Sequence, residues 1–168
     1  PVDSAWVNNW AGSFSESKRT NYRSGVVLDP HGQNPDVIGF NDGWFDQMMP
    51  DMNQRNSDLQ RYMGTNILWW MAEVGIDGLR IDTYTYGHQD AMAAMTRRIA
   101  NAFPESFMFA EAWVYGSAKQ AAIVEGTGFG WGDETGLDGT VDFAWHFAMQ
   151  EAMEQGEGWE HGIGAVYE

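Results

Sequence analysis

Three charged side chains occupy positions from which they could do chemistry together. Arg80 and Asp82 lie two residues apart in the segment DGLRIDTY, and Glu111 follows the apolar run FMFA. In a β-strand, residues i and i+2 share a face, so Arg80 and Asp82 point the same way while the apolar residues between them point the other. We expect Arg80 to keep the carboxylate of Asp82 ionised, as a carboxylate nucleophile requires.

Glu111 is the natural second partner of such a nucleophile. It sits at the end of an apolar strand, where shielding from water favours the protonated form that a general acid needs. One ionised and one protonated carboxyl form the pair used in glycoside hydrolysis, about 5–5.5 Å apart in retaining enzymes. Spacing alone leaves a second interpretation open, namely a structural ion pair at Asp82 and a merely solvated Glu111.

Alternating helices and strands would position these residues. Asn56 or Ser57 can cap a first helix, Gln60 can complete a capping box with Ser57, and Gly75 can end the helix. The periodicity predicts helices at residues 57–74, 89–103, about 117–125 and 148–154, and strands at 75–82, about 107–112 and 140–147. This order indicates parallel βα units, whose carboxyl strand ends carry the active sites of α/β folds.

Residues 1–56 show little periodicity and are rich in Asn, Asp, Gly, Pro and aromatic residues. A flexible linker is the alternative, but Trp6, Trp10, Trp44 and Phe45 are poor linker residues. We therefore predict an ordered, aromatic-rich loop region at residues 1–56 and the scaffold at 57–168.

Composition excludes several classes of protein. The chain has 168 residues, of which 43% are hydrophobic, and this composition argues against a disordered chain. The net charge of −15 argues against nucleic acid and anionic membranes as partners, and no run of apolar residues is long enough to span a membrane. Cysteine is absent, which removes disulfides and thiolate metal sites. The nine tryptophans favour core packing, with stacking platforms for sugar rings as the alternative.

Several motifs resemble the α-amylase superfamily, glycoside hydrolase family 13. GIDGLRIDTY is similar to its strand-4 motif and FAEAW to its strand-5 motif, while TVDF at residues 140–143 is similar to strand 6. MPDMN at residues 49–53 resembles an additional motif of the neopullulanase and oligo-1,6-glucosidase groups. TNYRSGVVLDP and FNDGWFDQMMPDMNQRN are most similar to cyclomaltodextrinases and neopullulanases. The resemblance implies an α/β fold, a partial (β/α)8 TIM barrel of about strands 4 to 6 with the long loop that follows strand 3.

The resemblance also implies roles for individual residues. Asp82 matches the nucleophile that forms the covalent glycosyl-enzyme, Arg80 matches the arginine that holds it, and Glu111 matches the general acid/base. Tyr84 and Trp113 lie near these residues and are candidates to line the sugar subsites.

Two departures from the family pattern matter. The Lys-His pair that often follows the nucleophile is replaced by Thr85 and Tyr86, so Tyr86 is a further candidate for substrate binding at altered leaving-sugar subsites. The strand-3 motif and the strand-7 motif, with the third catalytic aspartate, are missing, so we expect the chain to be an excerpt that is inactive and poorly stable alone. The four histidines have no matching context and are interpreted as structural or surface residues: His31, His88, His146 and His161.

The implied partner is an α-glucan oligosaccharide such as a cyclodextrin, pullulan or a maltooligosaccharide, and the full-length protein would be a homodimer. Its compartment would be a bacterial cytoplasm or periplasm. No cofactor is implied with certainty. Calcium occurs in many relatives, but the candidate ligands lack an EF-hand spacing: Asp29, Asp36, Asp42 and Asp46. A transglycosylase and a non-catalytic sugar-binding homologue remain the alternatives to a hydrolase.

Overall fold

In the part of the chain that the structure describes, three parallel strands and five α-helices form the scaffold. The computed structural model describes residues 6–8, 18–127 and 135–154. The strands are β1 (Gly78–Ile81), β2 (Phe107–Ala110) and β3 (Gly139–Thr140), in the sheet order β1-β2-β3. The helices are α1 (Asn34–Asn41), α2 (Ser57–Val74), α3 (Gln89–Ala102), α4 (Ser117–Ala121) and α5 (Phe143–Glu154), and short 310 helices occur at Ser24–Leu28 and Tyr84–Tyr86.

The core lies between one face of the sheet and the helices that connect its strands. Met108 and Ala110 of β2 are almost fully buried on this face, and Leu79 and Ile81 of β1 pack against the same cluster. Ile99 of α3 covers it from outside. The predicted division of β1 is therefore confirmed, because its apolar residues face the helices and its charged residues face the other side of the sheet.

The first predicted helix forms as expected, with one difference at its start. The side chain of Asn56 accepts hydrogen bonds from the N–H groups of Asp58 and Leu59, both at 3.0 Å, and Gly75 ends α2 in the left-handed conformation with φ 73°. The predicted capping box is wrong, because the amide of Gln60 donates to the carbonyl of Gln54.

Helix α1 was not predicted. It lies inside the loop region at residues 1–56, begins with Pro35 in its first turn and buries Phe40 and Asn41 at its C-terminal end. The segment carries no apolar stripe, because its Asn, Asp, Gly and Pro residues alternate with only a few hydrophobic ones. Its buried residues come from tertiary packing, which sequence periodicity does not report.

The prediction for residues 140–147 was wrong in part. Only Gly139–Thr140 form strand, and α5 already starts at Phe143, where a strand had been predicted. The carboxylate of Asp142 accepts a hydrogen bond from the N–H of Trp145 at 2.8 Å, which is the contact of a helix cap. The predicted helix at 117–125 is shorter than expected and ends at Ala121.

Some tryptophans fit the interpretation as core residues, and others do not. Trp44 is buried and donates from its indole N–H to the carbonyl of Asn8 at 2.6 Å. Trp69, Trp70 and Trp145 are about half exposed, so core packing does not explain them within the described part of the chain.

One edge of the sheet is open in the described residues. In the described residues β1 pairs with β2 alone, and a cavity of about 670 Å³ is lined by Leu79 and Ile81 of β1 together with apolar residues such as Met63, Ile67 and Met95. That the chain is part of a larger barrel stays a prediction.

We expect Asn56→Ala to lower the free energy of unfolding by about 1 kcal/mol, because two N–H groups in the first turn of α2 lose their acceptor. Denaturation in urea measures the change. Asn66→Ala, at an exposed position inside the same helix, is the control and should be neutral or slightly stabilising, because alanine is the better helix former. Equal losses in both variants would contradict the capping role.

Candidate active site at the strand ends

The register of β1 and β2 places the two candidate carboxylates side by side. The last ladder pair is Ile81 with Ala110, so Asp82 and Glu111 follow at matching positions. The N–H of Glu111 donates to the carbonyl of Ile81 at 2.8 Å, which extends the ladder by one bond. Both acidic residues therefore lie at the same, carboxyl, edge of the sheet.

A single guanidinium group joins the two carboxylates. Arg80 Nη1 lies 2.8 Å from Asp82 Oδ1, and Arg80 Nη2 lies 2.9 Å from Glu111 Oε1. The three side chains differ in exposure, at 47% for Arg80, 68% for Asp82 and 11% for Glu111. The sequence indicated the contact with Asp82 but not the second contact with Glu111. The expected separation of 5–5.5 Å between the carboxyl groups stays a prediction.

The backbone after Asp82 supplies a further contact that sequence analysis missed. The N–H of Thr83 donates to Glu111 Oε2 at 2.9 Å, so both oxygens of Glu111 have a donor. Thr83 adopts φ 44° and ψ 38°, a left-handed conformation that no motif signalled, because Thr rarely occurs there.

Tyr86 lies close to this group and is largely buried. Its ring stacks on Phe40 at 4.2 Å between centroids and contacts Phe45 at 4.7 Å. Burial raises the pKa of Tyr86 to about 12, with smaller contributions from nearby Tyr22, Tyr115 and Glu111. Tyr86 is therefore a neutral hydroxyl at physiological pH within the electrostatic reach of Glu111.

Tyr84 occupies a different environment from the one predicted. It has no exposed surface and belongs to the core cluster behind the sheet. Its backbone N–H donates to the carbonyl of Glu111 at 3.0 Å. The structure therefore gives Tyr84 a packing role, and its ring presents no face that a sugar could contact. Tyr84 and Tyr86 lie two residues apart in the same short turn. Their closeness to Asp82 in the sequence did not show which of the two rings belongs to the core.

Trp113 begins a row of aromatic rings beyond β2 and β3. It stacks on Phe143 at 4.1 Å with an interplanar angle of 23°, and Phe143 continues to Phe147 at 6.3 Å. Tyr115, which is 60% exposed, contacts Phe147 at 5.9 Å. Phe143 and Phe147 were missed as partners of Trp113 because their segment was expected to be a strand, whereas on α5 they are four residues apart and share one face.

An ionic network around the buried carboxylate of Asp42 attaches the loop region to the same edge of the sheet. Asp42 contacts Arg55 through Oδ2 and His88 through Oδ1, both at 2.7 Å. Burial acts to raise the pKa of Asp42, but the bonds from His88 and the charge of Arg55 outweigh it and lower that pKa. His88 precedes α3, so this network fixes the segment after α1 against the scaffold.

Asp51 extends the contact between the loop region and the scaffold. Its Oδ2 accepts a hydrogen bond from the amide of Asn8 at 2.7 Å. Burial raises the pKa of Asp51 to about 6, and the negative charge of Asp42 adds to this, while the bonds from Asn8 and Gln54 oppose it.

The remaining histidines and the aspartates proposed for calcium have other surroundings. His31 and His146 are exposed, and His161 lies outside the described residues. Asp36 pairs with Arg23 at 2.6 Å, and Asp42 is held by Arg55 and His88. Within residues 6–8, 18–127 and 135–154, no three His, Asp or Glu side chains form a group suited to a metal ion. Calcium therefore stays a prediction without assigned ligands.

Comparison with known proteins gives a partial sequence relative and several similar structures. No family model matches the chain. A cyclomaltodextrinase from Bacillus sp is 28% identical over 69 residues, which cover 41% of this chain and 12% of that enzyme. The α-amylase of Geobacillus thermoleovorans, solved with acarbose, superposes with a TM-score of 0.67 at 18% identity. That match covers 99% of this chain and 31% of the amylase.

Other solved structures share the fold of this chain. An Anoxybacillus α-amylase agrees, with a TM-score of 0.64 at 18% identity over 98% of this chain and 29% of that enzyme. So does CldA, described as a cyclomaltodextrin glucanotransferase, with a TM-score of 0.61 at 18% identity over 84% of this chain and 28% of that protein. The predicted resemblance is thereby confirmed.

The chain spans only a part of the length of the proteins that it resembles. It spans less than one third of each of the three similar structures and about one eighth of the cyclomaltodextrinase. The α/β class with a parallel sheet is confirmed, while the assignment to barrel strands 4 to 6 and the boundary at residue 56 stay predictions. No helix in the described ranges has both the length and the apolar character to cross a membrane.

The raised pKa of Asp51 predicts a pH dependence of stability. Because the folded form binds its proton more tightly than the unfolded form, stability should fall as pH rises from about 4 to about 6. The free energy of unfolding should fall by roughly 3 kcal/mol, and the fall should be complete above that pH range. Asp51→Asn should remove this pH-dependent fall. The free energy of unfolding of the variant relative to that of wild type should therefore grow between pH 4 and pH 7. Denaturation curves across this range measure it.

Asp77→Asn, at an exposed position before β1, is the control and should keep the fall in stability between pH 4 and pH 6, because it leaves Asp51 in place. Parallel curves for wild type and Asp51→Asn would show that Asp51 is not buried as described.

Proposed function

We propose that the protein containing this segment is a retaining glycoside hydrolase that cleaves α-glucosidic bonds. The observation that carries the proposal is the contact of one guanidinium with two carboxylates that follow neighbouring parallel strands. This arrangement gives Asp82 and Glu111 access to the same bond from one edge of the sheet. The shared fold of α-amylases supports the proposal.

The reaction would proceed in two displacements. Glu111 donates a proton to the glycosidic oxygen, the bond from that oxygen to the anomeric carbon breaks, and the carboxylate of Asp82 forms a covalent bond to the carbon. Water then attacks the same carbon, Glu111 takes its proton, and the bond to Asp82 breaks to release the sugar with its original configuration. Arg80 lowers the electrostatic energy of two carboxylates at short range.

The aromatic residues suit the binding of sugar rings. Trp113 is partly exposed and Tyr115 largely exposed, beside the strand that bears Glu111. Flat aromatic faces with polar groups at their edges match the apolar faces and hydroxyl rims of pyranose rings. We propose that Trp113 and Tyr115 contact the substrate and that Tyr86 limits the space near Glu111.

The finer substrate class that we propose is that of cyclomaltodextrinases and neopullulanases, namely cyclodextrins, pullulan and maltooligosaccharides. The MPDMN motif and the 69-residue similarity to a cyclomaltodextrinase support it. Transglycosylation is the alternative outcome. Incubation with maltotriose separates the two, because a hydrolase yields only shorter sugars and a transglycosylase also yields longer ones.

In the full-length protein, we expect Glu111→Gln to lower kcat by about 10²–10⁴-fold on maltosides with poor leaving groups. The loss should shrink on aryl maltosides with acidic leaving groups, because these need little proton donation. Asp82→Asn should be severely impaired on both kinds of substrate, since each requires the nucleophile. Steady-state kinetics with the two substrate types measures the difference.

Glu73→Gln, on the exposed side of α2, is the matched control and should keep wild-type kinetics. Calorimetric binding of maltooligosaccharides by a wild-type protein that hydrolyses and transfers nothing would replace the proposal with a non-catalytic sugar-binding function.

A further inference from the structure

Thr83, directly after Asp82, is held in a strained backbone conformation. Its φ of 44° and ψ of 38° lie in the left-handed region, where a β-branched residue is a clear outlier. In the described part of the chain, Tyr22 is the other non-glycine residue with positive φ. Such strain persists only where the surroundings over-determine the conformation, and it concentrates at functional sites.

The turn at Thr83 directs two successive N–H groups at one residue. The N–H of Thr83 donates to Glu111 Oε2 at 2.9 Å, and that of Tyr84 donates to the Glu111 carbonyl at 3.0 Å. A left-handed residue followed by a helical turn is a geometry in which neighbouring N–H groups converge on an anion. Because Glu111 also donates to the carbonyl of Ile81, both its backbone and its side chain are fixed to the segment around Asp82.

The two oxygens of Glu111 face donors of unequal mobility. Oε2 faces a peptide N–H that cannot move while the turn persists. Oε1 faces Arg80, a flexible side chain with 47% of its surface exposed and a second contact at Asp82. Each carboxyl oxygen has more than one lone pair, so a proton need not displace a donor, but a protonated oxygen is the weaker acceptor. The proton is therefore favoured on the oxygen whose donor can move away, and Arg80 is the donor able to leave.

We propose that Thr83 is a positioning residue whose backbone N–H fixes Oε2 of Glu111 and reserves Oε1 as the oxygen that carries the acid proton. Arg80 withdraws from Oε1 when Glu111 is protonated and keeps its contact with Asp82. The proton passes from Oε1 to the glycosidic oxygen, and Oε1 later receives the proton of the attacking water. This inference rests on the proposed hydrolase function.

Variants of Thr83 in the full-length protein test the proposal. Thr83→Pro removes the N–H and fixes φ at about −65°, so Oε2 of Glu111 loses its backbone donor. We expect kcat on maltosides with poor leaving groups to fall about tenfold with KM within about twofold, and the loss to shrink on aryl maltosides with acidic leaving groups, which need little proton donation. Thr83→Asn keeps the N–H, and its side chain favours the left-handed region, so it should retain most of the wild-type kcat on both kinds of substrate.

A purely structural turn gives a different result. Thr83→Pro would then change the melting temperature but leave kcat per folded molecule as in wild type on both kinds of substrate, which would overturn the proposal. Loss of kcat in Thr83→Asn as large as that in Thr83→Pro, with intact folding by circular dichroism, would overturn it too.

The contact can be measured without activity. In protein labelled with [15N]threonine, the Thr83 amide resonance is assigned by its loss in Thr83→Asn. Glu111→Ala should shift this resonance strongly, and Glu73→Ala should leave it in place. A shift in a protein without glycosidase activity would support the contact while the proposed function fails. An unmoved resonance in an active enzyme would overturn the role of Thr83 and leave the function intact.

Discussion

The arrangement of this segment depends on the parallel register between β1 and β2. Because Ile81 pairs with Ala110, the chain emerges from both strands at the same level, and Asp82 and Glu111 meet at one edge. A slip of one residue would turn one of the two carboxylates toward the helices. The apolar residues of the opposite face, Met108 and Ala110, fix the register by their burial, so the packing of the core determines the geometry of the charged group.

On the other face of the sheet, neighbouring charged and polar groups balance the two carboxylates. Arg80 neutralises part of the repulsion between two carboxylates, and the peptide N–H of Thr83 adds a backbone donor. Glu111 has little exposed surface, so its contacts with these donors are stronger than those between fully solvated charges. The loop region reaches the same edge through Asp42 and His88, and it thereby supplies one wall beside the strand ends.

The elements that could be predicted are those with a strong local signal. Helix α2 has an apolar stripe, a capping residue and a terminal glycine, and it formed at the predicted residues. Helix α1 has no stripe, and α5 begins inside a run that alternates like a strand, so both depend on contacts that the local pattern does not encode. For the same reason the sequence did not show which of Tyr84 and Tyr86 faces the core, because a short turn decides the direction of each ring.

The sequence by itself determined the identity and spacing of the charged residues, the parallel α/β class and the resemblance to α-amylases. These follow from residue types and from periods of two and 3.6, which are local properties of the chain. Only the tertiary structure decided that Arg80 contacts both carboxylates, that Thr83 turns left-handed toward Glu111, and that Trp113 stacks on Phe143. Each of these joins residues about 30 positions apart in the sequence, and such contacts arise from packing and register that local pattern does not contain.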